Sequence, residues 1–326
     1  MPENLIRPIQ LGRQLFASNL IQAPLAGVSC APFRDLVWQF GGVAYCATEM
    51  VSAKTLLLKH PPKRYIYKSP SEGPLCFQLS GAKPDELARA VAVAATHGAD
   101  VIDLNCGCPM YKVRRKGCGS RLLSDAHQLY QLVLAMRKAT DKPLSVKIRV
   151  DGASGDHCNA DVVKAINEGG ADYIIVHGRH WREDYETQIR YDEIANIVAA
   201  SRIPVIGNGD VKDYQSLQKL MQTGCAGAMI GRGSVGRPWL FAELTAVDQG
   251  RSFQVPDSAA IGEIFLTHIS KLVMIENESR ALQQGRQFSK YYARAAGLPP
   301  DIYLQFYQLK RLEELKSLIH QYFNMR

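Results

Sequence analysis

The sequence is short of the features that mark membrane, secreted and disordered chains. Its 326 residues show no apolar run that reads as long enough to cross a bilayer, so no membrane attachment is expected. The opening Met1-Pro2-Glu3-Asn4 has no cationic stretch leading into an apolar one; no signal peptide is expected, and a cytoplasmic location follows as the expectation. No repeat or low-complexity segment stands out, and 46% hydrophobic with 21% charged residues is not the composition of long disorder. Eight cysteines (30, 46, 76, 106, 108, 118, 158 and 225) lie scattered, without the frame of a secreted disulfide protein. Acidic residues are missing from three stretches. Lys54, Lys59, Lys63, Arg64 and Lys68 lie between Glu49 and Glu72, and Lys112, Arg114, Arg115, Lys116 and Arg121 between Asp103 and Asp125. Arg286, Lys290 and Arg294 recur every fourth residue, as one helix face would present them. Any one patch is explained by solvated surface lysines; three in a chain of net charge +8 favour a polyanionic partner such as nucleic acid.

What is present is an alternation of short apolar runs with amphipathic ones. Strands are expected at 20–23, 43–46, 75–78, 101–104, 144–149, 173–176, 203–206 and 228–230. Helices are expected at 84–97, 125–139, 159–168, 191–200, 213–222 and 235–244. Eight such units point to an α/β chain folded as a (β/α)8 TIM barrel over residues 1–244. After a polar connector the periodicity is helical only, near 259–275, 281–296 and 303–323, so residues 257–326 are expected to form a smaller all-α bundle domain. A monomer is expected.

The unusual residues fall where strands end, which is the active face of such a barrel. They include Pro24-Leu25-Ala26, Gln78, Asn105 to Pro109, Lys147 and Arg149, His177-Gly178-Arg179, Asn208-Gly209-Asp210 and Gly231-Arg232-Gly233. One Gly-x-Gly is most often a tight turn; two after the last two strands favour phosphate, which backbone N–H groups and Arg232 would meet. Lys147, inside a strand, needs either a buried carboxylate such as Asp103 or a ligand anion, and the N1–C2=O edge of a reduced flavin is such an anion. Gln78 and Asn105 offer the donor and acceptor that a flavin or uracil edge requires. His177 holds a phosphate, donates to a substrate, or is a satisfied structural histidine. Cys108, flanked by glycine and proline in a loop, is a candidate proton donor, since a free thiol with a pKa of about 8.5 is protonated near neutrality. Cys106, Cys108 and Cys118 raise the question of a metal, but Cys-x-Cys lacks the usual spacing and a fourth ligand, so no metal is expected.

These motifs, in this order, resemble the tRNA-dihydrouridine synthase family, bacterial B-type branch. The most specific piece is Asp103-Leu104-Asn105-Cys106-Gly107-Cys108-Pro109 with Lys112-Val113 and Gly117-Cys118-Gly119-Ser120. The resemblance runs from Ala23-Pro24-Leu25-Ala26-Gly27 to the helical tail. It implies FMN held by Pro24, Leu25, Ala26, Gln78, Lys147, Asn208, Gly209, Asp210, Gly231 and Arg232, with His177 nearby. It implies a tRNA uridine held by Asn105, Arg149 and Arg179, electrons from NADPH or NADH, and protonation of uracil C5 by Cys108. Leu25 stands where the family has methionine, and the loops 151–158 and 180–190 depart from its pattern, which bears on the tRNA site and not on the chemistry. Two other readings stay open at this point: an FMN barrel acting on a free pyrimidine, and a tRNA-binding protein without redox activity.

Overall fold

The computed structural model describes residues 4–151 and 155–323, so Gly152, Ala153 and Ser154 of the divergent loop after the fifth barrel strand lie outside the described residues. In chain order the strands are β1 (Ile9–Leu11), β2 (Gln14–Phe16), β3 (Leu20–Gln22), β4 (Tyr45–Ala47), β5 (Val51–Ser52) and β6 (Leu75–Ser80). They continue with β7 (Val101–Asn105), β8 (Leu144–Arg149), β9 (Tyr173–His177), β10 (Val205–Asn208) and β11 (Gly227–Ile230). Eight of these, β3, β4 and β6 to β11, run parallel in the order β4-β3-β11-β10-β9-β8-β7-β6, and β6 pairs back onto β4 to close the barrel. These are the eight strands read from the sequence. The hairpin β1–β2 is an addition, and β5 is a two-residue extension on the upper end of β6.

A period of two decides what faces inward. On β8, Leu144, Val146 and Ile148 belong to the apolar layer shared with the outer helices, while Ser145, Lys147 and Arg149 point inside. At the lower, N-terminal end the interior is apolar. Ile21, Tyr45, Tyr173, Ile175, Ile206 and Met229 pack there with Leu11 and Phe16 of the hairpin, which plugs that mouth. The buried Tyr45 and Tyr173 hydroxyls satisfy each other at 2.6 Å. Towards the C-terminal end the inward positions turn polar.

The barrel helices fall at Ala31–Phe40, Pro84–Thr96, Ala126–Lys138, Asn159–Gly169, Tyr191–Ala200, Tyr214–Met221 and Leu240–Asp248. Their starts follow local chemistry. Asp125 accepts from the Gln128 N–H, and Asp213 forms a reciprocal capping box with Ser216. One expectation is corrected: the last barrel helix does not open at Val235. A short 3-10 turn, Arg232–Ser234, follows β11, and the helix starts only at Leu240. Gly236 at φ 73° and Pro238, which disfavours helical backbone at the residue before it, keep the intervening chain out of the helix.

Beyond the barrel lie Ser258–Ile275, Glu278–Ala295, Pro300–Phe306 and Leu312–Tyr322. The single helix expected over 303–323 is two, because Glu314 accepts from the Lys310 and Arg311 N–H groups and opens a new helix there. These four helices build their own core around Phe265, Phe288, Tyr292, Phe306, Leu315 and Phe323, and Cys30, Val235 and Trp239 of the barrel enter it. Ser258–Ile275, with mean hydropathy 1.4, is by length and composition apolar enough to cross a bilayer, which corrects the expectation that no such run exists. Here it packs within the bundle: Ile261, Phe265, Ile269 and Leu272 are buried and Lys271 pairs with Asp35 of the barrel. Arg64, bridging Glu49 and Glu276, adds a second ionic tie across the same junction.

Gly236 marks a close approach of the two parts. A Cβ there would stand 2.5 Å from the Tyr291 carbonyl carbon, on a backbone at positive φ. Gly236→Ala should therefore lose about 1–3 kcal/mol from left-handed strain alone, with the clash in addition. Urea titration of parent and variant checks this; an unchanged midpoint would mean the junction yields freely.

Candidate active site

The upper mouth of the barrel opens into a cleft of about 1050 Å³. Every site residue read from the sequence lines it: Pro24, Leu25, Ala26, Gln78, Asn105, Cys108, Lys147, Arg149, His177, Arg179, Asn208, Gly209, Asp210, Gly231 and Arg232. They come from seven different strand ends, so only barrel closure brings them together.

Deepest are the amides and the lysine. Lys147 Nζ donates to Asn208 Oδ1 at 2.8 Å, and Asn208 Nδ2 donates to the Met229 carbonyl at 2.8 Å. Lys147 is thus directed by Asn208 and not by a direct ion pair with Asp103, the structural alternative for this lysine. Burial pushes its ammonium down from its ordinary pKa and Arg149 adds to the effect, against the pull of Asp103. A ligand anion would reverse that shift. Asn105 Nδ2 donates to Gln78 Oε1, and Gln78 Nε2 to Asp103 Oδ2, both at 2.8 Å. Burial raises Asp103 from its ordinary value, opposed by hydrogen bonds from Ser145 and Gln78 and by the charge of Lys147. His177 is held well below its ordinary value by burial first and then by Lys147, Arg149, Arg179 and Arg232, so it stays neutral at physiological pH.

The outer end is made by two turns pressed backbone to backbone. A Cβ on Gly233 would lie 2.2 Å from the Val211 carbonyl oxygen, which only glycine permits. Asp210, at φ 46°, accepts from Arg179 and from Arg232, the latter at 2.7 Å. Burial alone would raise the Asp210 carboxyl; these two guanidinium groups outweigh it and hold it below its usual range. With both partners in place, Asp210 orients Arg232, whose guanidinium also lies 4.2 Å from the centre of the Tyr185 ring. Arg232 and the adjoining turn line this end of the cleft, with Lys212 and Arg237 also on its wall.

Cys108 is half-buried and sits on a loop held at several points. Its N–H donates to Asn105 Oδ1 at 3.0 Å, and its carbonyl accepts from Ser120 N and Oγ, each at 3.1 Å. Gly119 permits that docking, since a Cβ there would meet the Cys108 carbonyl oxygen at 2.6 Å. Arg149 Nε donates to the Gly107 carbonyl at 2.8 Å and its Nη1 to the His180 carbonyl at 3.1 Å. The divergent loops also clasp each other. Arg114 lies 3.4 Å from the Trp181 ring centre, and Trp181 Nε1 donates to Asp156 at 3.0 Å. Cys106 and Cys118 are buried, and among the described residues no three His, Cys, Asp or Glu side chains converge as a metal site.

The sequence reading singled out neither Tyr291 nor Met50, which also line the cleft, and it gave Asp103 no site role beyond a partner for Lys147 and the first residue of the loop motif. The signal for Asp103 was there: it precedes Asn105 by two and so shares its face of β7.

Arg179 proves to be engaged wholly with protein. It is 1% exposed, and it donates to Asp210, to the Thr187 carbonyl at 2.5 Å and to the Tyr185 carbonyl at 2.9 Å. Arg179→Ala should cost roughly 2 kcal/mol or more and expose the 180–187 loop to protease, with little rescue by lysine, whose point charge cannot span those acceptors. Thermal melts and limited proteolysis read both; an intact loop in the alanine variant would free Arg179 for a direct ligand role.

Comparison with known proteins places this geometry. Two solved structures, a histamine dehydrogenase from Rhizobium sp. 4-9 and a variant of NCR from Zymomonas mobilis, share the barrel fold at TM-scores of 0.58 and 0.57 and 12% identity. They align with 81% and 78% of this chain, and with 51% and 94% of their own. In sequence, the chain is 31% identical over 317 residues to a probable tRNA-dihydrouridine synthase 1 of Synechocystis sp., covering 97% of this chain and 89% of that protein. It is 29% identical over 321 residues to tRNA-dihydrouridine synthase B of Pseudomonas aeruginosa, covering 98% and 96%. The dihydrouridine synthase family model matches residues 21–314, and with that match across barrel and bundle alike the chain belongs to the dihydrouridine synthase family.

Proposed function

We propose that this protein reduces the C5–C6 double bond of a uridine in tRNA to give 5,6-dihydrouridine, using FMN bound in the barrel mouth and electrons from NADPH or NADH. The observation that carries the reading is one cleft with a cationic, glycine-turned outer end and an amide-and-lysine inner end, beside a half-buried thiol. That donor set fits a flavin mononucleotide: Arg232 with the Gly231 and Gly209 turns suits the phosphate, and Lys147, Gln78 and Asn208 suit the polar edge of the ring. Pro24, Leu25 and Ala26 supply apolar surface for the ring. In place of direct contact, Asp210 holds Arg232. When bound, FMN supplies the hydride that ends on uracil C6.

The chain's own residues do the rest. Cys108 gives its proton to C5 as the hydride arrives at C6, and the thiolate left behind lies near the Arg149 cation. Asn105, with Arg149 beside it, faces the uracil edge, while Arg179 acts on the substrate through the 180–187 loop that it anchors. Neutral His177 can donate or accept a single hydrogen bond without adding charge. The boundary we propose runs between the barrel and a tRNA-gripping bundle, within the connector that follows Asp248. A monomer in the cytoplasm, with no metal, completes the proposal.

Cys108→Ala should keep FMN and tRNA binding and flavin reduction by NADPH, and lose product formation by ~100- to 10,000-fold, the usual contribution of a general acid. Cys106→Ala and Cys118→Ala should stay close to the parent in product formation. Turnover of Cys108→Ala at the parental rate would assign the proton to another group.

The bundle offers the tRNA contact. Arg294 is exposed and lines the cleft, and Lys290 and the half-buried Arg286 follow one and two turns back along the same helix. Replacing all three by Gln should weaken tRNA binding without loss of FMN, and flatten its salt dependence by about 0.7–0.9 in log–log slope per phosphate contact removed. Isotherms over a range of salt concentrations decide it: lines of equal slope would move the contact to Arg114, Arg115 and Lys116.

A further inference from the structure

Asp103 is a buried carboxylate that the reaction above does not use, 2% exposed and facing the barrel interior. Its Oδ1 accepts from Ser145 Oγ at 2.6 Å and its Oδ2 from Gln78 Nε2 at 2.8 Å. Both oxygens of Asp103 act as acceptors in this arrangement, as those of a carboxylate do. Gln78 must therefore show Asp103 its NH2 group, which leaves Oε1 turned towards Asn105. Gln78 Oε1 accepts from Asn105 Nδ2 at 2.8 Å, so Asn105 in turn must present Oδ1 on its other side. That oxygen accepts the Cys108 N–H at 3.0 Å. Each amide has two orientations of nearly equal shape, and a flip of either one would set N–H against N–H at the next link. The carboxylate at the inner end removes that ambiguity along the whole chain. Lys147 is free for other work, since its own recorded partner is Asn208.

We propose that Asp103 is a positioning residue which, through the amides of Gln78 and Asn105, fixes the backbone of Cys108 where its thiol reaches the substrate. Ser120 holds the carbonyl of the same residue, so Cys108 is fixed on both sides of its Cα, and only the N–H side is governed by Asp103. The catalytic consequence rests on the acid role given to Cys108; the geometric one does not.

Hydrogen–deuterium exchange of the FMN-loaded enzyme reads the geometry, followed on the peptic fragment carrying the Cys108 amide. Asp103→Leu, near in size but without an acceptor, should speed exchange there at least tenfold and lower kcat by a similar factor, with KM for tRNA little changed. Asp103→Asn keeps an oxygen for Gln78 and can turn its NH2 to Ser145 Oγ, so it should hold exchange and kcat near the parent. Should Asp103→Leu fold poorly, Gln78→Met cuts the chain one link later, leaves Asp103 with Ser145, and should speed the same exchange. Parental exchange in both Asp103→Leu and Gln78→Met would overturn the proposal, as would Asp103→Asn behaving like Asp103→Leu. If Cys108→Ala turned over like the parent while Asp103→Leu still sped exchange, the acid role would fall and the positioning role would stand.

Discussion

The pairing of β4 with β6, Cys46 opposite Leu75 and Ala47 opposite Cys76, converts a row of parallel strands into a ring. Once the ring is closed, each strand has an inside and an outside, and the inside narrows to two ends with different fates. The lower end is filled by Tyr45, Tyr173, Ile175 and the hairpin residues Leu11 and Phe16. Apart from the mutually bonded Tyr45 and Tyr173 hydroxyls, the polar side chains that point inward gather towards the upper end, where each other or a ligand can satisfy them. Asp103, Gln78, Asn105, Lys147 and Asn208 occupy that layer and bond one another in the main.

The charge of the cleft follows from the same closure. Lys147, Arg149, Arg179 and Arg232 converge with two carboxylates, Asp103 inside and Asp210 at the rim. Burial of the cations is a standing cost that an anionic ligand relieves, which is why Lys147 is depressed and His177 neutral. The two carboxylates serve different ends. Asp210 aims Arg232 outward, and Asp103 orders amides towards the thiol.

The helical bundle is joined to this mouth by geometry as much as by its core. Gly236 lets the chain after β11 pass against Tyr291, and the helix carrying Tyr291 also carries Arg294 into the cleft. The connection that ends the eighth barrel unit therefore sets where the cationic face of Glu278–Ala295 lies. The ionic ties Arg64–Glu276 and Lys271–Asp35 hold the first bundle helix and the turn after it to the barrel.

By itself the sequence determined the eight strands and most barrel helices, because period-two apolar runs and capped amphipathic segments are local signals. It also determined which residues would meet at the mouth, since each one sits at a strand end and the barrel rule does the rest. Where the reading failed, the deciding contact was distant or subtle. The late start of Leu240–Asp248 depends on the positive φ of Gly236 together with Pro238, and the break before Leu312 on Glu314 capping a turn inside a helical pattern. The hairpin that plugs the barrel has strands of three residues, too short for periodicity to show. Only the tertiary structure decided how the gathered groups divide their work: Arg179 and Asp210 are engaged with protein, Arg232 faces outward, and Asp103 acts at one remove from Cys108. Hydrogen-bond direction between side chains from different strands is a property of the closed ring, and no single strand carries it.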